Sequence, residues 1–138
     1  MPKQEVVSDR LARPNGHFAQ ATVAEARGRL VFVSGMTARD GEGRIVGVGD
    51  VAAQTHQVCQ NVQAAVEAAG GTIEDIVRVD VYVRDISQFD AIHAVREQYF
   101  TGVAPASTMV EISRFTREEY LIEINAIAVV RDEAGAAA

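Results

Sequence analysis

Glu123 interrupts the apolar run LIEINAIAVV, a position that favours a chemical role for its carboxylate. Alternation along this run predicts a strand with Glu123 on one face and Ile122 and Ile124 on the other. A carboxylate buried in such a strand has a raised pKa and can act as a general acid or base near neutral pH. Glu123 is therefore the first catalytic candidate, and the alternative is an exposed carboxylate on an open sheet face.

Two strand ends offer further polar groups. Ser34 and Gly35 end the apolar segment LVFVSG, where glycine either lets a ligand approach the backbone or forms a turn. The segment PASTM brings the hydroxyls of Ser107 and Thr108 into the start of a later strand. Both places are candidates for ligand binding.

Other candidates lie on the predicted helices and in the glycine-rich segment. His93 is either a core histidine or a ligand contact. Arg39 and Arg96 are expected to be solvated, unless one faces a cleft and offers its guanidinium to a carboxylate. Cys59, the single cysteine, lies on an apolar helix face and is expected to be a packing residue rather than a nucleophile. A lone cysteine cannot form an internal disulfide, which is typical of a reducing compartment and favours a cytoplasmic protein.

Several function classes are disfavoured by what the sequence lacks. It has no phosphate loop, GxGxxG, HExxH or GxSxG motif, and its cysteine and three histidines lack metal-ligand spacing. We therefore expect no metal site. The net charge of −6 and the absence of a basic stripe argue against nucleic acid as a partner. No apolar run is long enough to span a membrane.

Residues 1–131 are expected to form one domain, because 138 residues are typical of a single domain and no linker interrupts them. We expect residues 9–16 to be unstructured and residues 132–138 to form a disordered tail. The predicted elements are strands at 18–24 and 29–34, a helix at 51–69, a strand at 76–83, a helix at 87–100, and strands at 107–114 and 120–130.

These elements predict an α+β fold with two helices on one face of a mixed sheet. The first two strands and the last two are each expected to pair as a hairpin. Consecutive apolar positions in LVFVSG predict a strand covered on both faces. The first helix is expected to expose a polar face that includes Gln54 and Gln60.

Several segments, taken in order, resemble the Rid (YjgF/YER057c/UK114) family of enamine and imine deaminases from about residue 15 to residue 130. They are HFAQA, LVFVSGM, AAQTHQVCQNVQAAVEAAGG, DVYVRDISQFDAIHAVREQYF, PASTMVEI and LIEINAIAVV. The resemblance implies a chorismate-mutase-like fold and a homotrimer with a central barrel and three clefts between subunits. It also implies cofactor-free hydrolysis of reactive enamines and imines, such as 2-aminoacrylate, to a keto product and ammonia.

The resemblance assigns roles to individual residues. The family's catalytic carboxylate falls on Glu123, and the backbone at Ser34 and Gly35 is expected to line the same cleft. Thr108 and Met109 fall on the family's polar and cysteine positions, so they are expected to contact substrate.

The chain departs from the family at the expected substrate-binding arginine. Ser107 occupies that position, since the archetype reads PARS and this chain PAST. Phe18 and Ala19 replace a tyrosine and a serine, and His93 replaces an asparagine. We hypothesise that Arg39 or His93 binds the anionic end of a substrate other than simple 2-aminoacrylate.

Three readings of the function remain open at this point. The first is a deaminase of an enamine or imine beyond 2-aminoacrylate, and the second is an aminomuconate-type deaminase of aromatic catabolism. The third is a non-catalytic trimer that binds a small carboxylate. A ribonuclease, the activity attached to some relatives, is disfavoured by the acidic charge.

Overall fold

The computed structural model describes residues 3–131, so the predicted tail at 132–138 lies outside the described residues. Six strands and two α-helices follow one another along these residues. They are β1 (Gln4–Val6), β2 (Ala21–Val23), β3 (Arg29–Met36), α1 (Val51–Ala68), β4 (Ile76–Val83), α2 (Phe89–Tyr99), β5 (Ala106–Glu111) and β6 (Ile122–Val130).

The main sheet has four strands in the order β3-β6-β4-β5. Strand β6 is antiparallel to both β3 and β4, whereas β4 and β5 run parallel. A buried layer joins this mixed sheet to α1 and α2, and the predicted α+β architecture is confirmed.

Both predicted hairpins are wrong. Strand β2 pairs with β1 in a separate two-stranded sheet, and β4 lies between β5 and β6. The chain passes through α2 between β4 and β5, which is the crossover that a parallel pair requires. A polar turn shows that the chain reverses, but it does not specify which strand lies beside the next one.

Local signals at both ends of α1 agree with the structure. The Asp50 side chain accepts a hydrogen bond of 3.1 Å from the Ala53 N–H, as expected for an N-cap. Past the helix, Gly70 adopts a φ of +92°, which glycine permits without a steric cost.

The side chains of β6 alternate between the two faces of the sheet from Ile122 to Ala128, as predicted, and those of β4 do so from Val79 to Val83. Their core-facing side chains are buried beneath the helices: Val79, Val81, Val83, Ile122, Ile124 and Ala126. Glu123 and Asn125 therefore lie on the opposite, helix-free face.

The expectation that β3 is covered on both faces is wrong for the single chain. Val33 is buried, but Phe32 is 72% exposed and Leu30 is 55% exposed. The reason is that α1 and α2 cover only one face of the sheet. The apolar side chains on the other face of β3 are exposed to solvent.

Gln54 does not lie on an exposed polar face, because its side chain is 0% exposed. Its Nε2 donates to the Glu119 carbonyl at 2.7 Å and to the Gly47 carbonyl at 3.2 Å. Its Oε1 accepts from the Leu121 N–H at 2.8 Å. These three backbone partners allow a polar side chain to be buried within α1.

Candidate functional site

Glu123 and Gly35 are brought together by an irregularity in the pairing of β3 and β6. The register shifts between Val33 and Met36, so that Ser34 and Gly35 oppose one residue of β6. This is a β-bulge, a feature found often beside active sites. A β-carbon on Gly35 would lie 2.8 Å from Cδ of Glu123 and would overlap its carboxylate oxygen. The glycine thus provides the room in which the carboxylate lies.

The Glu123 side chain is half-buried and faces an open depression of about 640 Å³. Tyr82 and Asn125 line the same depression, together with the loop after β5. Within residues 3–131 no donor hydrogen-bonds to the Glu123 carboxylate, so both oxygens can accept bonds from water or a ligand.

A second cavity, of about 320 Å³, lies between α2, β5 and the segment before β2. The structure brings Phe18, Ser107, Thr108 and Met109 together in its wall. The Ala19 N–H donates to the Pro105 carbonyl at 3.3 Å and holds that segment against β5.

Arg96 also lines this second cavity, and the expectation that it is solvated is wrong. Its residue exposure is 3%, and its Nη2 donates to the Ser107 hydroxyl at 3.1 Å. The periodicity of α2 contained the signal, because Arg96 belongs to the same helical stripe as Ile92 and Val95, which are buried.

Ser107 and Thr108 point to opposite faces of the sheet. Ser107 pairs in register with the core residue Val79, whereas Thr108 pairs with Asp80 on the helix-free face. The Thr108 hydroxyl accepts from Arg78 Nη2 at 2.7 Å, and Arg78 also forms an ion pair of 2.8 Å with Asp80. The Arg78 guanidinium is therefore already bound to partners on strands of the same sheet.

His93 lies beside the second cavity but has protein partners. Its Nε2 lies 2.6 Å from the Glu97 carboxylate, and its ring stacks on Phe89 at a centroid distance of 5.4 Å. The His17 ring meets it edge-on at 5.7 Å. His93 is therefore packed between two aromatic rings and lies beside a carboxylate.

Arg39 lies elsewhere, on the exposed segment after β3. It borders a separate depression of about 550 Å³ that also contains Gly35. Asn61 Nδ2 donates to the Arg39 carbonyl at 2.8 Å, which fixes the backbone there. The structure therefore does not bring Arg39 and His93 to one place.

The carboxylate and the buried cation are separated within one chain. The depression at Glu123 and the cavity at Arg96 share no lining residue. A single copy thus presents two separate depressions: Glu123 shares the first with the exposed Arg114, and the buried Arg96 lines the second.

Cys59 is 1% exposed, and burial raises the pKa of its thiol to about 12. Because the thiolate is the nucleophile, such a thiol is a packing group. Across residues 3–131, no cluster of three or more His, Cys, Asp or Glu side chains has the arrangement of a metal site. In the same range, no helix is long and apolar enough to cross a membrane.

Comparison with known proteins extends these observations. A family model described as Endoribonuclease L-PSP matches residues 9–130. A RutC family protein of Pyrococcus abyssi is 34% identical over 128 residues, covering 93% of this chain and 98% of that one.

Two solved structures share the fold. YyfB of the conserved Rid protein family from Yersinia pestis has a TM-score of 0.86 at 28% identity, covering 94% of this chain and 100% of that one. TdcF from E. coli, solved with bound serine, has a TM-score of 0.69 at 30% identity, covering 94% and 99%.

Two helices packed on one face of a mixed sheet define the class as α+β. The chain belongs to the Endoribonuclease L-PSP family, which includes the Rid (YjgF/UK114) proteins. Family membership supports a role in processing small molecules.

Proposed function

We propose that the protein is a hydrolytic deaminase of reactive enamine or imine metabolites, with Glu123 as its general acid/base. The observation that carries this proposal is the Glu123 carboxylate, which has no hydrogen-bonding partner within residues 3–131 and lies over Gly35 in an open depression. A carboxylate with free lone pairs beside solvent can orient a water molecule and pass protons.

The proposed reaction needs only proton transfers and water. The enamine gains a proton on carbon and loses one from nitrogen, which gives the imine. Water adds to the imine carbon, and one of its protons passes to the nitrogen. The carbon–nitrogen bond then breaks as the hydroxyl proton is transferred, which releases ammonia and leaves a carbonyl. Glu123 accepts and returns these protons, and no electrons leave the substrate.

We further propose that copies of the chain assemble as a homotrimer and complete the site between subunits. Two observations support this assembly. The exposed side chains of Leu30 and Phe32 form an apolar surface on the helix-free face of the sheet. The Glu123 depression, which the exposed Arg114 also lines, and the Arg96 cavity lie apart in one chain, so only a second copy can bring the buried guanidinium of Arg96 to Glu123.

The ligand of a relative supports the substrate class. TdcF from E. coli holds serine, which carries an amine and a carboxylate on one carbon. A 2-imino acid likewise carries a nitrogen and a carboxylate on one carbon, with an imine in place of the amine. We propose a substrate of this class, either larger than 2-aminoacrylate or of the aminomuconate type, because Ser107 changes the binding pocket.

One observation favours a second function, the binding of a small carboxylate without catalysis. Ser107 stands where the family places a substrate-binding arginine, so a contact important for turnover is altered. Ribonuclease activity, which the family description names, is less consistent with a net charge of −6.

Ammonia release from imines generated by an amino-acid oxidase separates the enzyme from the binder. Because Glu123 carries the protons, Glu123→Gln is expected to lower the rate by about 100-fold or more. Glu118→Gln, a matched change at an exposed carboxylate, is expected to leave the rate unchanged. Equal rates of ammonia release for the native chain and Glu123→Gln would contradict the deaminase and favour carboxylate binding without catalysis.

A further inference from the structure

Arg96 is a buried cation whose hydrogen-bonding capacity is not met by the described part of the chain. Its Nη2 reaches the Ser107 hydroxyl at 3.1 Å, but its buried Nε has no acceptor. Burial lowers the pKa of Arg96, yet the arginine side chain stays protonated in proteins. No carboxylate within residues 3–131 forms an ion pair with it.

An uncompensated buried charge is destabilising, and proteins ordinarily pair it. Cys59, the group whose charge would favour the cation, has a pKa raised by burial to about 12 and is therefore a neutral thiol. The positive charge of Arg96 is therefore available to pair with an anion that is not part of the described residues.

The cavity beside Arg96 has the size and lining for a small anion. Its volume of about 320 Å³ is at the lower end of the range for ligand pockets. Phe18, Phe89 and Met109 provide apolar walls, and the hydroxyl of Ser107 lies at the guanidinium. This combination suits a carboxylate attached to a short carbon chain.

The other candidate cations are less suited. Arg39 and Arg114 are exposed and border other depressions. The buried Nδ1 of His93 has no hydrogen-bond partner within residues 3–131, but its Nε2 contacts the Glu97 carboxylate at 2.6 Å, and His93 does not line this cavity. Arg78 is paired with Asp80 at 2.8 Å.

We propose that Arg96 is the carboxylate-binding residue of this chain, reaching from α2 to the Ser107 hydroxyl on β5. Ser107 acts as a positioning residue, because its hydroxyl accepts from the guanidinium and holds it at the cavity. This inference deepens the proposed function and rests on it for the ligand class, a 2-imino or 2-oxo acid.

Calorimetric titration with pyruvate, and with its neutral match methyl pyruvate, tests this assignment. The native chain is expected to bind pyruvate the more tightly of the two. Arg96→Met should weaken pyruvate binding about tenfold or more and leave methyl pyruvate binding unchanged, because only the anion uses the guanidinium. Arg27→Met removes the same charge from an exposed site and is expected to bind pyruvate like the native chain.

Ser107→Ala and the thermal stability of the variants separate a binding role from a structural one. Ser107→Ala is expected to weaken pyruvate binding while the fold is kept. Without ligand, Arg96→Met is expected to unfold at the same or a higher temperature, since a buried unpaired charge is removed. A lower unfolding temperature together with native affinity for pyruvate would make Arg96 a structural residue.

NMR of the native chain gives a test that needs no substitution. The Nε–H signal of Arg96 should shift and saturate as pyruvate is added, with no such shift for methyl pyruvate. Loss of binding in Arg39→Met but not in Arg96→Met would overturn the assignment. So would an Arg96 signal that pyruvate does not move.

These outcomes are independent of catalysis. Pyruvate binding through Arg96 without ammonia release would keep the anion site and remove the deaminase. Release that depends on Glu123 but not on Arg96 would keep the deaminase and remove the anion site.

Discussion

At the scale of single residues, the absence of a β-carbon at Gly35 leaves the space in which the Glu123 carboxylate lies. The bulge in β3 brings the Gly35 backbone under the carboxylate, where any larger residue would collide with it. The colliding atoms are the far end of a flexible side chain, so a substitution there displaces the carboxylate while the backbone is kept.

Gly35→Ala is therefore expected to lower ammonia release about 100-fold, since a misplacement near 1 Å has an effect of that size. The melting temperature should remain close to native. Gly41→Ala is the matched control, because a β-carbon at Gly41 meets nothing within 4 Å. Native activity in Gly35→Ala would show that the position of Glu123 is not critical.

At the scale of elements, the buried Gln54 side chain joins α1 to the segment that leads into β6. It donates a hydrogen bond to the Glu119 carbonyl and accepts one from the N–H of Leu121, which lies two residues before Glu123. The helix thereby fixes where β6 begins, and with it the position of the Glu123 carboxylate along the strand.

Gln54→Ala should lower the free energy of unfolding by about 3 kcal/mol, because it opens a cavity and leaves buried backbone groups unpaired. Gln60→Ala, on the exposed side of α1, is expected to change it by less than about 0.5 kcal/mol. Urea denaturation measures both changes. Hydrogen exchange at the Leu121 amide should also quicken in Gln54→Ala, and native stability would contradict the role of Gln54.

At the scale of the whole molecule, the sheet has one face under helices and one face open. Phe32 is 72% exposed on this open face, on the strand that carries the Gly35 bulge. An apolar surface next to the Glu123 depression is where a second copy would both bury area and complete the site.

Phe32→Asp is expected to convert the proposed trimer to monomers and to abolish ammonia release, because a charge in an apolar interface is unfavourable. Light scattering gives the mass, and circular dichroism should show an unchanged fold. Val48→Asp, at an exposed site on the loop before α1, should leave both assembly and activity intact. A native chain that is monomeric at micromolar concentration would remove the intersubunit site.

Local patterns in the sequence are sufficient to predict the elements whose hydrophobic period is unbroken. Helix α1 and strands β4 and β6 lie where the sequence predicted them, and the alternation in β6 correctly assigned Glu123 to the face opposite Ile122. These features depend on residues a few positions apart, so a local pattern is sufficient to predict them.

The tertiary structure decided which elements are neighbours, and through this the environment of the polar residues. It inserted β4 between β5 and β6, buried Gln54 against three backbone groups, and placed Arg96 against Ser107. Strand pairing and the pairing of buried polar groups join residues far apart in sequence, so no local period encodes them. The position of the carboxylate at Glu123 was therefore readable from the chain, whereas its separation from the buried guanidinium was not.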